Sequence, residues 1–315
     1  MTSTAIPVPE SRLKQMLYRP PWVGLLAFGI VFVVQALGHT VMILMEDIFG
    51  HQYVYEIAFA VGVAGAVLLF FGMKSRNEVA ATWLGFWAGT LLWTGWVEFA
   101  FVWSANFLGV PDLMDKHLAG EIATKAEYLV MMSSIGVLGS TLVYFLLNKE
   151  TKCNMFLWVQ RKLHLKTGKP NPGHERNFAS ITALETIYVI WFCYLLLLFI
   201  YDESILGDRH PVTYVLFFLN VIWAVYLFLR LVKFWKVTTA IRYGIPTAII
   251  AWNALEIAGR WNLFTSIWEK PWDYGLEMGI ITVAVAIAAY LAVRTPANKK
   301  AELSRAKLAA NGPAV

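Results

Sequence analysis

Residues 96–103 read Trp96-Val97-Glu98-Phe99-Ala100-Phe101-Val102-Trp103, and residues 254–261 read Ala254-Leu255-Glu256-Ile257-Ala258-Gly259-Arg260-Trp261. Glu, Ala and Trp fall in register, and each stretch puts a carboxylate inside a long apolar run. Ionisable residues at membrane depth are costly and mark functional sites by default. Working outward, Glu46-Asp47 and then Gly50-His51 match Asp202-Glu203 and then Gly207 and His210. Downstream, Glu127-Tyr128 matches Asp273-Tyr274 with a shorter intervening loop. The pattern predicts an internal repeat.

Composition sets the class. Hydrophobic residues make up 58% of the chain, charged residues 15%, and mean hydropathy is +0.56. A soluble domain carries about 25% charged residues. Eight apolar segments run over 23–45, 55–73, 81–107, 126–147, 179–201, 212–231, 238–264 and 274–292. A spanning helix needs about 20 such residues. The runs are continuous rather than alternating, which argues against barrel strands. The expected fold is an all-α integral membrane protein with eight transmembrane helices in two parallel-repeat four-helix bundles. The expected organisation is a tail over 1–22, a first repeat over 23–147, a basic linker over 148–178, a second repeat over 179–294 and a tail over 295–315.

The basic residues set the orientation. Of the 26 Lys and Arg, all but Lys116, Lys125, Arg209, Arg260 and Lys270 fall in the tails, the central linker and the turns after the second and sixth segments. The positive-inside rule then puts both termini and the linker in the cytoplasm of a cell with an inner membrane. Even-numbered repeats keep one orientation, so the duplication is parallel. The net charge of +5 comes from these loops and suits lipid headgroups, not nucleic acid. In the linker, Met155-Phe156-Leu157-Trp158-Val159 followed by Arg161-Lys162 reads as an interfacial helix. Cys153 and Cys193 suggest neither a disulfide nor a thiolate metal site.

The aromatics have a bland reading. Trp22, Trp103, Trp261, Trp268 and Trp272 fit an interfacial belt. Trp83, Trp87, Trp93 and Trp96 recur at helical spacings, which packing explains.

The candidate chemistry lies toward the outer face of the first half. Glu98 falls roughly 10–14 Å below the outer end of its helix at about 1.5 Å per residue, and His39 lies at similar depth. If the first and third segments are neighbours, the two can meet. His117 and Glu121 are four residues apart and would share a helix face, with Glu127 just beyond. The expected metal ligands are His39, Glu98, His117, Glu121 and Glu127, with His51, Glu46 and Asp47 as secondary candidates. Imidazole and carboxylate suit a transition metal such as Fe, Cu or Zn. A lone carboxylate at that depth otherwise stays neutral, because an unpaired buried charge is expensive.

In the second half Arg260 follows Glu256 by one turn, so that pair reads as structural. No counterpart of His39 or His117 is seen there. The sequence carries no Glu-x-x-His, His-Glu-x-x-His, nucleotide-loop or Gly-x-Ser-x-Gly motif.

Three function classes follow. One is a membrane metalloprotein, an oxidoreductase or a subunit of one, with its site opening outward and a quinone as a further possible ligand. Another is an ion- or proton-coupled transporter, and the third a scaffold for other membrane subunits or a soluble outer partner. Two four-helix bundles with polar groups near the outer face resemble in architecture the quinone-handling membrane subunits of certain bacterial molybdenum oxidoreductases. That likeness rests on no motif residue, so no site residue is carried over from it.

Overall fold

The computed structural model describes residues 19–114, 122–151, 153–169, 171–172 and 176–293. The helices are α1 (Trp22–Gly50), α2 (Gln52–Lys74), α3 (Glu78–Leu92), α4 (Phe99–Leu108), α5 (Ala126–Met132), α6 (Ile135–Leu147), α7 (Asn154–Lys162), α8 (Phe178–Tyr201), α9 (Pro211–Leu231), α10 (Val237–Arg260) and α11 (Gly275–Val293). A π-helical turn, Trp93–Glu98, joins α3 to α4. All eight expected apolar segments fall on helices. Four helices, α1, α2, α8 and α9, are long and apolar enough to cross a membrane. The pair α5 and α6, bent by 42°, qualifies together as a fifth. α9 turns Phe218, Ile222 and Leu229 outward, as a helix facing lipid would.

Local chemistry places the breaks. Gly50, at φ 61°, separates α1 from α2, and Gly109, at φ 64°, ends α4. Only glycine takes this left-handed backbone without penalty. Gly207, at φ 89°, turns the chain between α8 and α9. Asn77 caps α3 by accepting from the Val79 and Ala80 amides, and Asn177 caps α8 from the Ser180 amide. His210 Nδ1 accepts from the Val212 amide and starts α9, with Pro211 at its first position. That is a structural role for the His210 of the repeat match.

Three expectations change. The third segment is not one regular helix but α3, a π-turn and α4. The all-α reading gains a small antiparallel pair, β1 (Leu113–Met114) with β2 (Ile122–Thr124). The two halves also do not close as separate bundles. α3 packs along α8 and α10 along α1, and the main apolar core mixes Val31, Phe86, Met131, Ile190, Ile245 and Val285 from both halves.

Small residues make the cross-half contacts close. A Cβ on Gly85 would meet the Ala179 backbone, and one on Gly89 would lie 2.8 Å from the Ala183 carbonyl oxygen. On the other side a Cβ on Gly244 would lie 3.2 Å from the Ala27 methyl. Without a hydrophobic drive between helices in lipid, such close backbone approach supplies much of the association. The third segment of each half therefore packs on the first segment of the other.

Candidate functional site

Two carboxylates come in from opposite helices, each beside a Trp of its own segment and an aromatic residue of another helix. Glu256 on α10 accepts a hydrogen bond from Trp252 Nε1, one α-turn earlier on the same helix, at 2.6 Å. The same carboxylate oxygen lies 3.0 Å from His39 Nε2 on α1, and the His39 ring stacks on Trp252 with centroids 6.0 Å apart. Glu98 on the π-turn accepts from the Tyr194 hydroxyl on α8 at 2.8 Å. Tyr194 in turn lies against Trp93, with ring centroids 5.7 Å apart. Trp93 Nε1 is buried near the Glu98 carboxylate but does not close a hydrogen bond of normal geometry to it. Each site thus takes a Trp and a Glu from the third segment of one half and an aromatic donor from the first segment of the other.

The π-turn makes this correspondence possible. Ala81, Gly85 and Trp93 align with Ala240, Gly244 and Trp252 in one register. Glu98, Ala100 and Trp103 align with Glu256, Ala258 and Trp261 in a register one residue shorter. Trp93 and Glu98 are therefore five apart, where Trp252 and Glu256 are four apart. A π-turn carries one more residue than an α-turn and returns both side chains to one face. Gly95 lets the widened turn lie against α2, where a Cβ would be 2.5 Å from the Ala58 carbonyl oxygen. Trp96 Nε1 donates to the Phe59 carbonyl at 3.1 Å and ties the turn to α2.

Between the two sites lies a cavity of about 40 Å³ lined by Gln35, His39, Thr90, Trp93, Glu98 and Tyr194 among others. A water needs roughly 10–15 Å³ measured in this way, so the space suits two or three waters and is too small for a quinone ring without movement. Glu98 itself is buried, 3% exposed.

The predicted site residues separate accordingly. His39 and Glu98 do share a cavity, as neighbouring first and third segments require. The direct partner of His39, however, is Glu256 from the other half. Arg260, the expected partner of Glu256, has its guanidinium 5.2 Å over the Tyr201 ring. Glu127, on α5, lies 3.9 Å from Lys125. Glu46 is exposed, and Asp47 accepts from Trp272 Nε1 at 2.8 Å. His117 and Glu121 lie outside the described residues, as does the side chain of His51. Among the described residues no three His, Cys, Asp or Glu side chains come together as a metal-binding group.

Tyr194, Trp93 and Trp252 are missed by the sequence reading. The signal was present in the Trp93 and Trp252 match, but an ungapped comparison anchored on Glu98 and Glu256 passes over it by one residue. No protein-family description, curated protein or solved structure matches this chain.

Proposed function

We propose that the chain is an eight-span protein of the inner membrane, built from two parallel repeats with both termini cytoplasmic, that handles protons through Glu98, His39 and Glu256. One observation carries the reading: Glu98 and His39 line one small pocket, and His39 is bonded to a second carboxylate. Glu98, cavity water, the imidazole and Glu256 form a run of groups that can each take and give a proton. Imidazole suits the centre of such a run, because a proton taken on one ring nitrogen can leave from the other. Tyr194 holds the Glu98 carboxylate in place. The acidic rim that includes Glu46, Asp47 and Glu269 supports opening toward the outer face.

A second reading keeps the metal centre. His39 and Glu98 already face one cavity, and the further ligands expected from the sequence are Glu127, His117 and Glu121, the last two outside the described residues.

Reconstituted vesicles with a trapped pH indicator separate the two. Under an imposed potential, protein-dependent proton flux should fall at least tenfold in Glu98→Gln and in His39→Gln. Stoichiometric transition metal that is lost in Glu98→Gln, with no proton flux in the parent protein, would replace the proton reading by the metal one. Neither flux nor metal would overturn both.

A further inference from the structure

At the opposite, basic end of the molecule α2, α3 and α8 border an open cavity of about 470 Å³. That lies within the range of small-ligand pockets, roughly 300–1,000 Å³. Lys74, Arg76 and Arg176 line it. Among the described lining residues the acid is Glu78, and it lies 3.4 Å from Lys236, outside the lining. The wall therefore carries cationic charge that Glu78 does not offset. Asn177 Nδ2 donates to the Met73 carbonyl at 3.3 Å and joins the start of α8 to the end of α2, which fixes the distance between the two basic edges.

We infer that this cavity binds the phosphodiester headgroup of an anionic phospholipid. Charge argues for an anion, and the surroundings argue for a lipid rather than a free anion. The cavity opens beside the end of α2, where Phe70, Phe71 and Met73 are 48%, 59% and 44% exposed. Lys74 spans the border, its ammonium 4.1 Å from the centre of the Phe70 ring. A free phosphate would engage the cations alone. A phospholipid engages the cations with its headgroup and the exposed α2 face with its acyl chains. Basic pockets between helices at the membrane surface recognise anionic headgroups by this combination. The inference uses the membrane character of the helices and is independent of the proton reading.

Native mass spectrometry of protein released from nanodiscs of equal phosphatidylglycerol and phosphatidylcholine tests it. Phosphatidylglycerol should be retained at least fivefold over phosphatidylcholine. The double variant Arg76→Gln with Arg176→Gln should lose the preference, and Arg76→Lys with Arg176→Lys should keep it. Removing remote basic charge, by Arg161→Gln with Lys162→Gln on α7, should leave it intact. Equal retention of the two lipids by the parent protein overturns the proposal, as does equal loss in the α7 variant. Displacement of bound phosphatidylglycerol by millimolar inorganic phosphate would reassign the cavity to free anions and also overturn it.

Discussion

Glu256 and Glu98 are matched in sequence and differ in how each is held. Glu256 lies on a regular α-helix, has its Trp four residues earlier and is bonded to both Trp252 and His39. Glu98 lies on a π-turn, has its Trp five residues earlier and receives a bond from Tyr194, while the Trp93 indole N–H lies near it without a hydrogen bond of normal geometry. The extra residue conserves the face that the carboxylate presents while changing how tightly it is held. The donor differs as well. A phenol offers one hydroxyl, whereas an imidazole has two ring nitrogens that can each carry a proton. In the proton reading the Glu98 site positions a carboxylate, and the Glu256 site supplies the exchanging imidazole.

The sharpest way to break this comparison is to change helix length. Deleting Val97 converts the π-turn to an α-turn and leaves α4 in register, so the protein should still be recovered folded. Deleting Ala254 instead turns Glu256 by roughly 100° about α10 and removes it from His39. Yield of monodisperse protein in detergent should fall severely for the second deletion and modestly for the first. Equal losses would mean that the π-turn is not an insertion within a repeat.

A smaller effect tests the donors. Tyr194→Phe removes the hydroxyl bond to a buried carboxylate and should cost about 1–3 kcal/mol of stability. It should reduce proton flux less than His39→Gln does, although both remove one contact. Thermal unfolding and vesicle flux measured together give the two numbers. If Tyr194→Phe abolishes flux as fully as His39→Gln, the phenol is a carrier and the division of roles between the sites is wrong.

The smallest change leaves the protein intact and asks whether both sites lie toward the same side. A cysteine placed at Asp112 should react with an impermeant maleimide from outside, and one at Thr167 should not. Native Cys153 gives little background, because burial pushes its thiol pKa up, leaving less thiolate at neutral pH, and it belongs to the linker face. Outside labelling at Thr167 would reverse the orientation of both sites.

Much of the scaffold was legible in the chain. All eight apolar runs became helices, and Gly50 and Gly207, matched in sequence, both adopt positive φ at the ends of their segments. The approach of the first and third segments was legible too, since His39 and Glu98 line one pocket. The pairing was not. His39 was expected to meet Glu98 and bonds Glu256, and Tyr194 gave no sign of its role, since a tyrosine in an apolar run reads as packing.

What the sequence by itself determined was helix content, membrane character and the position of each ionisable group along its helix. These are sums over local residues: apolar content over about 20 positions and rise per residue. Only the tertiary structure decided which donor reaches which carboxylate. That choice depends on how each helix is rotated and how closely it approaches its neighbour. Both are set by contacts between distant residues, Gly85 on Ala179 and Gly244 on Ala27, and by one π-turn that rephases Glu98. A hydrogen bond tolerates only a few tenths of an ångström, and helical periodicity does not specify position that finely.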